Sequence, residues 1–195
     1  MKDKHIFFIP IIITVIGIIT LYPLLSQSLF SIAYALKNSI STRSFILPAM
    51  VNFPYLVLFC GLILLSFTDM LFEKIFASIA MFLILAGFLF AYLAKTPLLS
   101  LEALGIGAGI FIAINITKLG SYALGDIIAA GAIGIYVGIE KIVIISIFAI
   151  ILGKIIFYLG AKLDGICDKS RVKEFHFAFV PVLFLATAVI FAVKK

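Results

Sequence analysis

Charge is scarce in this chain. Only 12% of its 195 residues are Asp, Glu, Lys or Arg, about half the 25% of an ordinary soluble domain. Together with a mean hydropathy of +1.32, that excludes a water-soluble globular protein. Cysteine is scarce too. Cys60 lies in an apolar run and Cys167 in a polar loop. Two such residues without a C-x-x-C pair suggest neither a disulfide framework nor a zinc site. Polar connections are short, and the longest, about 26–44 and 161–175, cannot hold a core of their own. No solenoid-type repeat and no low-complexity segment occurs. No basic face is interleaved with exposed aromatics, so nucleic acid is not expected as a partner despite the net charge of +6. Nothing in the sequence requires a metal or a cofactor.

What remains is apolar: 65% of the residues are hydrophobic. Runs of about 20 residues, enough to cross a bilayer, recur along the chain. They are continuous rather than alternating, which argues against a β-barrel. The expected fold is all-α, a polytopic helical bundle in the lipid bilayer with about six or seven transmembrane helices. Candidate spans lie at about 6–25, 45–67, 75–94, 98–117, 127–140, 142–160 and 176–193. The first has the basic start and apolar run of a signal peptide, but its A-x-A pattern at Ala33 and Ala35 lies well beyond the apolar core. It is read as a retained span. Pro10 and Pro23 are positioned to kink it. The fifth span is short and runs into the sixth through Glu140 and Lys141.

Orientation follows from the basic residues. With the N-terminus in the cytoplasm, Lys2, Lys4, Lys74, Lys118, Lys162, Lys169, Arg171 and Lys173 fall inside. Lys37, Arg43, Lys95, Lys141, Lys194 and Lys195 fall outside. The bias is inward, and the longest basic loop, AKLDGICDKSRVKEF, is cytoplasmic. This alternation puts Asp69 and Asp126 at the cytoplasmic ends of their spans, at similar depth.

Those two acids are the candidate chemistry. Asp69 stands in LLSFTDMLFEKIF and Asp126 in YALGDIIAAG. Two carboxyl groups brought within a few ångströms share a proton. The ionised one takes a proton from water while the protonated one donates to a peptide carbonyl. Gly125, without a side chain, lets a substrate backbone approach Asp126. Interfacial aspartates and ion relays are the competing readings. Tyr122 is placed to donate a hydrogen bond near Asp126 or to anchor the chain at the interface. Gly105 with Gly109, and Gly134 with Gly138, form two G-x-x-x-G pairs suited to helix packing. His176, Asp164 and Asp168 read as interfacial or solvated, and the sequon NIT at 115–117 lies in a span.

Three segments, in order, resemble the type IV prepilin peptidases and their archaeal preflagellin relatives, membrane aspartic proteases with a G-x-G-D motif. DMLFEKI, from Asp69 to Ile75, is similar to the family's Asp with Ile six residues on. ALGDIIAAGAIGIYVG, from Ala123 to Gly138, is similar to G-x-G-D and the small-residue helix after it. FVPVLFLATAVI, from Phe179 to Ile190, is similar to the late F-G-P segment. Ala123 replaces the first glycine, Ile128 a basic residue, Phe76 and Ala77 a Pro-Asn pair, and Val180 a glycine. The resemblance covers about residues 58 to 192. It implies a prepilin-peptidase-like membrane domain at 58–195, preceded by spans of unassigned role at 1–57. It further implies Asp69 and Asp126 as the catalytic dyad and pilin-like precursors as partners, cut behind a basic leader at the cytoplasmic face. Glu73 at the mouth is placed to attract that leader or to pair with Lys74. The paired cysteines that accompany methyl transfer in bifunctional relatives are not found in this sequence, so peptidase activity alone is expected.

Overall fold

Away from water, every backbone N–H and C=O of an apolar segment needs a partner inside the protein, and a helix supplies it locally. The computed structural model describes residues 11–20, 22, 26, 43–72, 77–118, 120–163 and 178–193. Among these residues there are seven helices and no strand. They are α1 (Ile11–Thr20), α2 (Arg43–Phe72), α3 (Ala77–Leu93), α4 (Pro97–Ile116), α5 (Leu124–Val137), α6 (Ile139–Leu163) and α7 (Val180–Val193). Three contain segments long and apolar enough to cross a membrane: Phe53–Phe72, Pro97–Ile116 and Ile139–Leu159. Pro10, Pro23, Glu73, Lys74, Asp164, Cys167, Asp168 and His176 lie outside the described residues. Helix α2 runs unbroken through residue 58, the expected start of the second unit. Helix α1 joins the same core, with Ile13 buried in it.

The hub is α5. From Asp126 to Val137 nearly every residue is buried, because α2, α3, α4, α6 and α7 all pack on it. Small side chains make this possible. Helix α4 presents Ser100, Ala103, Gly107 and Phe111 as its buried stripe. A Cβ on Gly134 would run into the backbone carbonyl of Ala103, and one on Gly107 would lie 2.7 Å from the Ala130 carbonyl oxygen. The packing expected at Gly105 and Gly109 therefore falls at Gly107 instead. A Cβ at either of the former meets nothing within 4 Å. The reason is phase: two residues turn a helix by about 200°, so Gly105 and Gly109 face away from α5. Gly138 is likewise no packing residue. It ends α5 at φ +81, with open space where a side chain would stand, a backbone conformation that favours glycine. The chain reverses there, and α6 starts at once. Glu140 and Lys141 consequently lie in the first turn of α6 rather than in a connection, and α5 starts at Leu124, three residues ahead of the expected span.

Lengths then fix the level of the remaining ends. The 14 residues of α5 span about 21 Å at 1.5 Å each. Helix α6 leaves the same reversal with 25 residues, about 37 Å. Gly153, about 21 Å along α6, touches the ring of Phe179, which immediately precedes α7. The starts of α5 and α7 thus share one level, and α6 continues past them by roughly 15 Å.

Candidate functional site

The site lies where α2 ends and α5 and α7 begin. Asp69 is half-buried in the last turn of α2, and its Oδ2 accepts the Val180 N–H at 3.2 Å. Val180 is the first residue of α7 and Pro181 follows it. Proline has no N–H to offer, so the carboxylate takes one of the few donors at that helix start. Asp126 is 7% exposed and stands third in α5, where its Oδ2 accepts the Ala123 N–H at 3.1 Å. This is half of a capping box, since the alanine has no side-chain oxygen to return the bond. Each carboxylate therefore meets a backbone N–H at a helix start, where the dipole favours negative charge, Asp126 from within α5 and Asp69 from the C-terminal turn of α2. They belong to one neighbourhood, because the residues before their two donors, Tyr122 and Phe179, meet ring to ring at 4.7 Å.

The connection between α4 and α5 is held by a side chain. Asn115, in the last turn of α4, donates through Nδ2 to the Tyr122 carbonyl at 2.9 Å. Its Oδ1 accepts the Tyr122 N–H at 2.8 Å. The intervening chain turns back through Lys118, at φ 55. Gly120 then passes under Tyr122, where a Cβ would come within 3.1 Å of the Tyr122 ring. That ring packs on Phe111 with centroids 4.9 Å apart and on Phe179 at 4.7 Å, while Phe111 and Phe179 meet at 5.6 Å. Such tilted and edge contacts are the favoured aromatic geometries. Burial, and after it the Asp126 charge, hold the Tyr122 phenol above its ordinary range, so the hydroxyl is neutral and remains a donor.

Gly125 is half-buried beside Asp126 in the first turn of α5. Glu73 and Ile75 fall outside the described residues. Sequence reading gave Asn115 and Phe111 no part in the site and met Phe179 only as the opening residue of the F-G-P-like segment. Asn115 carried a signal of another kind, the sequon, but its amide is turned inward onto Tyr122. Among the described residues, no group of three or more His, Cys, Asp and Glu could hold a metal ion. Comparison with protein-family models, with curated proteins and with solved structures returns no match.

Proposed function

We propose that this chain is a membrane aspartic endopeptidase of the prepilin-peptidase type, crossing the cytoplasmic membrane six or seven times. Its substrates are pilin-like precursors, cut between a basic leader and the hydrophobic helix that follows. One observation carries the reading. Asp69 and Asp126, from different helices, accept the N–H groups of Val180 and Ala123, whose preceding residues Phe179 and Tyr122 meet ring to ring at 4.7 Å. The three segments that bear the family resemblance, at the end of α2 and the starts of α5 and α7, meet at this point.

The chemistry needs one shared proton. The ionised carboxylate removes a proton from a water molecule, and the water oxygen bonds to the carbon of the scissile peptide. The protonated carboxyl gives its proton to the carbonyl oxygen, forming a neutral tetrahedral diol. Proton transfer to the amide nitrogen and rupture of the C–N bond release the leader as an acid and the mature chain as an amine. The pair ends with one proton, as it began. Acid and base are roles of the coupled pair.

The backbone bond that each carboxylate makes at a helix start favours a second reading. In it the acids serve only as helix caps in a non-enzymatic partner of a pilus or secretion machine. Asp69→Asn and Asp126→Asn, each co-expressed with a pilin-like precursor, separate the two. General acid–base catalysis contributes about 10²–10⁴-fold, so either change should leave the precursor essentially uncut. Continued processing by both variants would remove the peptidase reading.

A further inference from the structure

Asp69 and Asp126 belong to different helices, and a working pair needs their separation fixed to a fraction of an ångström. The backbone donors reveal how that separation is set. Ala123, which donates to Asp126, directly follows Tyr122. Val180, which donates to Asp69, directly follows Phe179. The rings of Tyr122 and Phe179 are in contact at 4.7 Å. Each aspartate is thus tied to the residue after an aromatic, and the two aromatics lean on each other.

Helix α4 backs this pair. Phe111 and Asn115 are four residues apart and so lie on one face. Phe111 is wholly buried and packs on both rings. Asn115 grips the Tyr122 backbone through both its N–H and its C=O. A side-chain amide that satisfies both groups of one residue leaves that residue little freedom to shift. On the α6 side, Gly153 makes room for the Phe179 ring. A Cβ there would lie 2.9 Å from Phe179 Cε2.

We propose that Tyr122 is a positioning residue. Clasped by Asn115 and wedged between Phe111 and Phe179, its ring is the brace that sets the distance between Asp69 and Asp126. The inference rests on the peptidase reading for its catalytic consequence and on geometry alone for the brace itself. The working part is the ring. The hydroxyl is not needed for it.

Two readouts test this on the full chain. In the first, precursor processing is measured for Tyr122→Phe, Tyr122→Leu and Asn115→Ala. Thr117→Ala serves as control, because Thr117 bonds only carbonyls of its own helix end. Misplacing a reacting group by about 1 Å costs on the order of 10²-fold in rate. Tyr122→Leu and Asn115→Ala should therefore lower kcat by about 10- to 100-fold with KM changed little. Tyr122→Phe, which keeps the ring, should recover most of what Tyr122→Leu loses, and Thr117→Ala should stay close to the parent. In the second, Cys60 and Cys167 are replaced by Ala, and Thr68→Cys with Gly125→Cys, next to aspartates that stay in place with their backbone bonds, is bridged by a short bis-methanethiosulfonate reagent. Only the monodisperse fraction in detergent is scored, so unfolded protein does not enter. Bridging should survive Tyr122→Phe and fall several-fold with Tyr122→Leu or Asn115→Ala. Unchanged bridging in both would overturn the brace, even if Asp69→Asn and Asp126→Asn abolish processing. Lost bridging while both Asn variants still process would keep the brace and remove the peptidase.

Discussion

Gly134 and Gly105 offer a controlled comparison, because both lie inside helices and each begins a G-x-x-x-G pair. Replacing either by Ala gains the same intrinsic helix preference, about 1 kcal/mol. Their surroundings differ. The new methyl at residue 105 meets nothing within 4 Å. At residue 134 it collides with the Ala103 carbonyl group, whose carbon would be 2.8 Å away and whose neighbouring Leu104 nitrogen 3.2 Å. All of these atoms are backbone, so no side-chain rotation relieves the clash. Bringing that carbon out to the 3.4 Å of ordinary contact needs a shift of at least about 0.6 Å between α4 and α5. Overpacking of this kind costs about 1–3 kcal/mol. The preference for Ala cancels in the difference between the variants, so Gly134→Ala should be less stable than Gly105→Ala by about 1–3 kcal/mol. The assay is reversible unfolding in mixed micelles of rising SDS content, followed by circular dichroism. The same shift moves Phe111 and Asn115 of α4 relative to Asp126 of α5, so processing should fall in Gly134→Ala and hold in Gly105→Ala. Equal stability of the two variants would refute the account of α4–α5 packing.

Two further outcomes use the same unfolding assay. The Tyr136 hydroxyl donates to the Leu83 carbonyl at 2.8 Å, tying α5 to α3, so Tyr136→Phe should cost about 0.5–1.5 kcal/mol. No loss would mean that the Leu83 carbonyl is satisfied equally well by its own helix. The fully buried hydroxyls of Ser66 and Ser146 have no hydrogen-bond partner among the described residues. Ser66→Ala and Ser146→Ala should therefore be neutral or stabilising by up to about 1 kcal/mol, and a clear loss in either would show that its hydroxyl is bonded after all.

The helices were legible because long apolar runs leave the backbone few alternatives. The alternation of runs also brings residues 69 and 126 to one end of the bundle, and α2 ends and α5 begins there. Other features had no local signal. G-x-x-x-G spacing marks a face of small residues but not which way that face points. On α4 the contact follows Ser100, Ala103, Gly107 and Phe111, a stripe of mixed residue types that no short motif describes. Asn115 reads as a sequon by its neighbours, whereas its role depends on a partner seven residues on. That partner is reached only because Lys118 adopts a positive φ, which a lysine gives no reason to expect. The aromatic contact between Tyr122 and Phe179 joins segments far apart in the chain. The Tyr122 ring by itself looks like an interface anchor.

The same geometry accounts for why both acids can be so near the interior and still be tolerated. A carboxylate in a membrane-grade bundle is costly unless charge or dipoles meet it. The two shortest well-buried helices, α5 and α7, each of 14 residues, end their N-termini at one level, and each N-terminus exposes unsatisfied N–H groups to that level. Asp126 satisfies one from within α5, and Asp69 satisfies one of α7 from the end of α2. Helix α6 runs on past this level, with Lys154 exposed just beyond Gly153. Both acids therefore stand roughly 15 Å short of the far end of α6. A peptide reaching them must arrive in extended form, because a helix of about 10 Å diameter keeps its own carbonyls bonded and turned along its axis. Under the proposed peptidase reading, a precursor with a flexible basic leader joined to a hydrophobic helix presents such an extended junction at its one non-helical point.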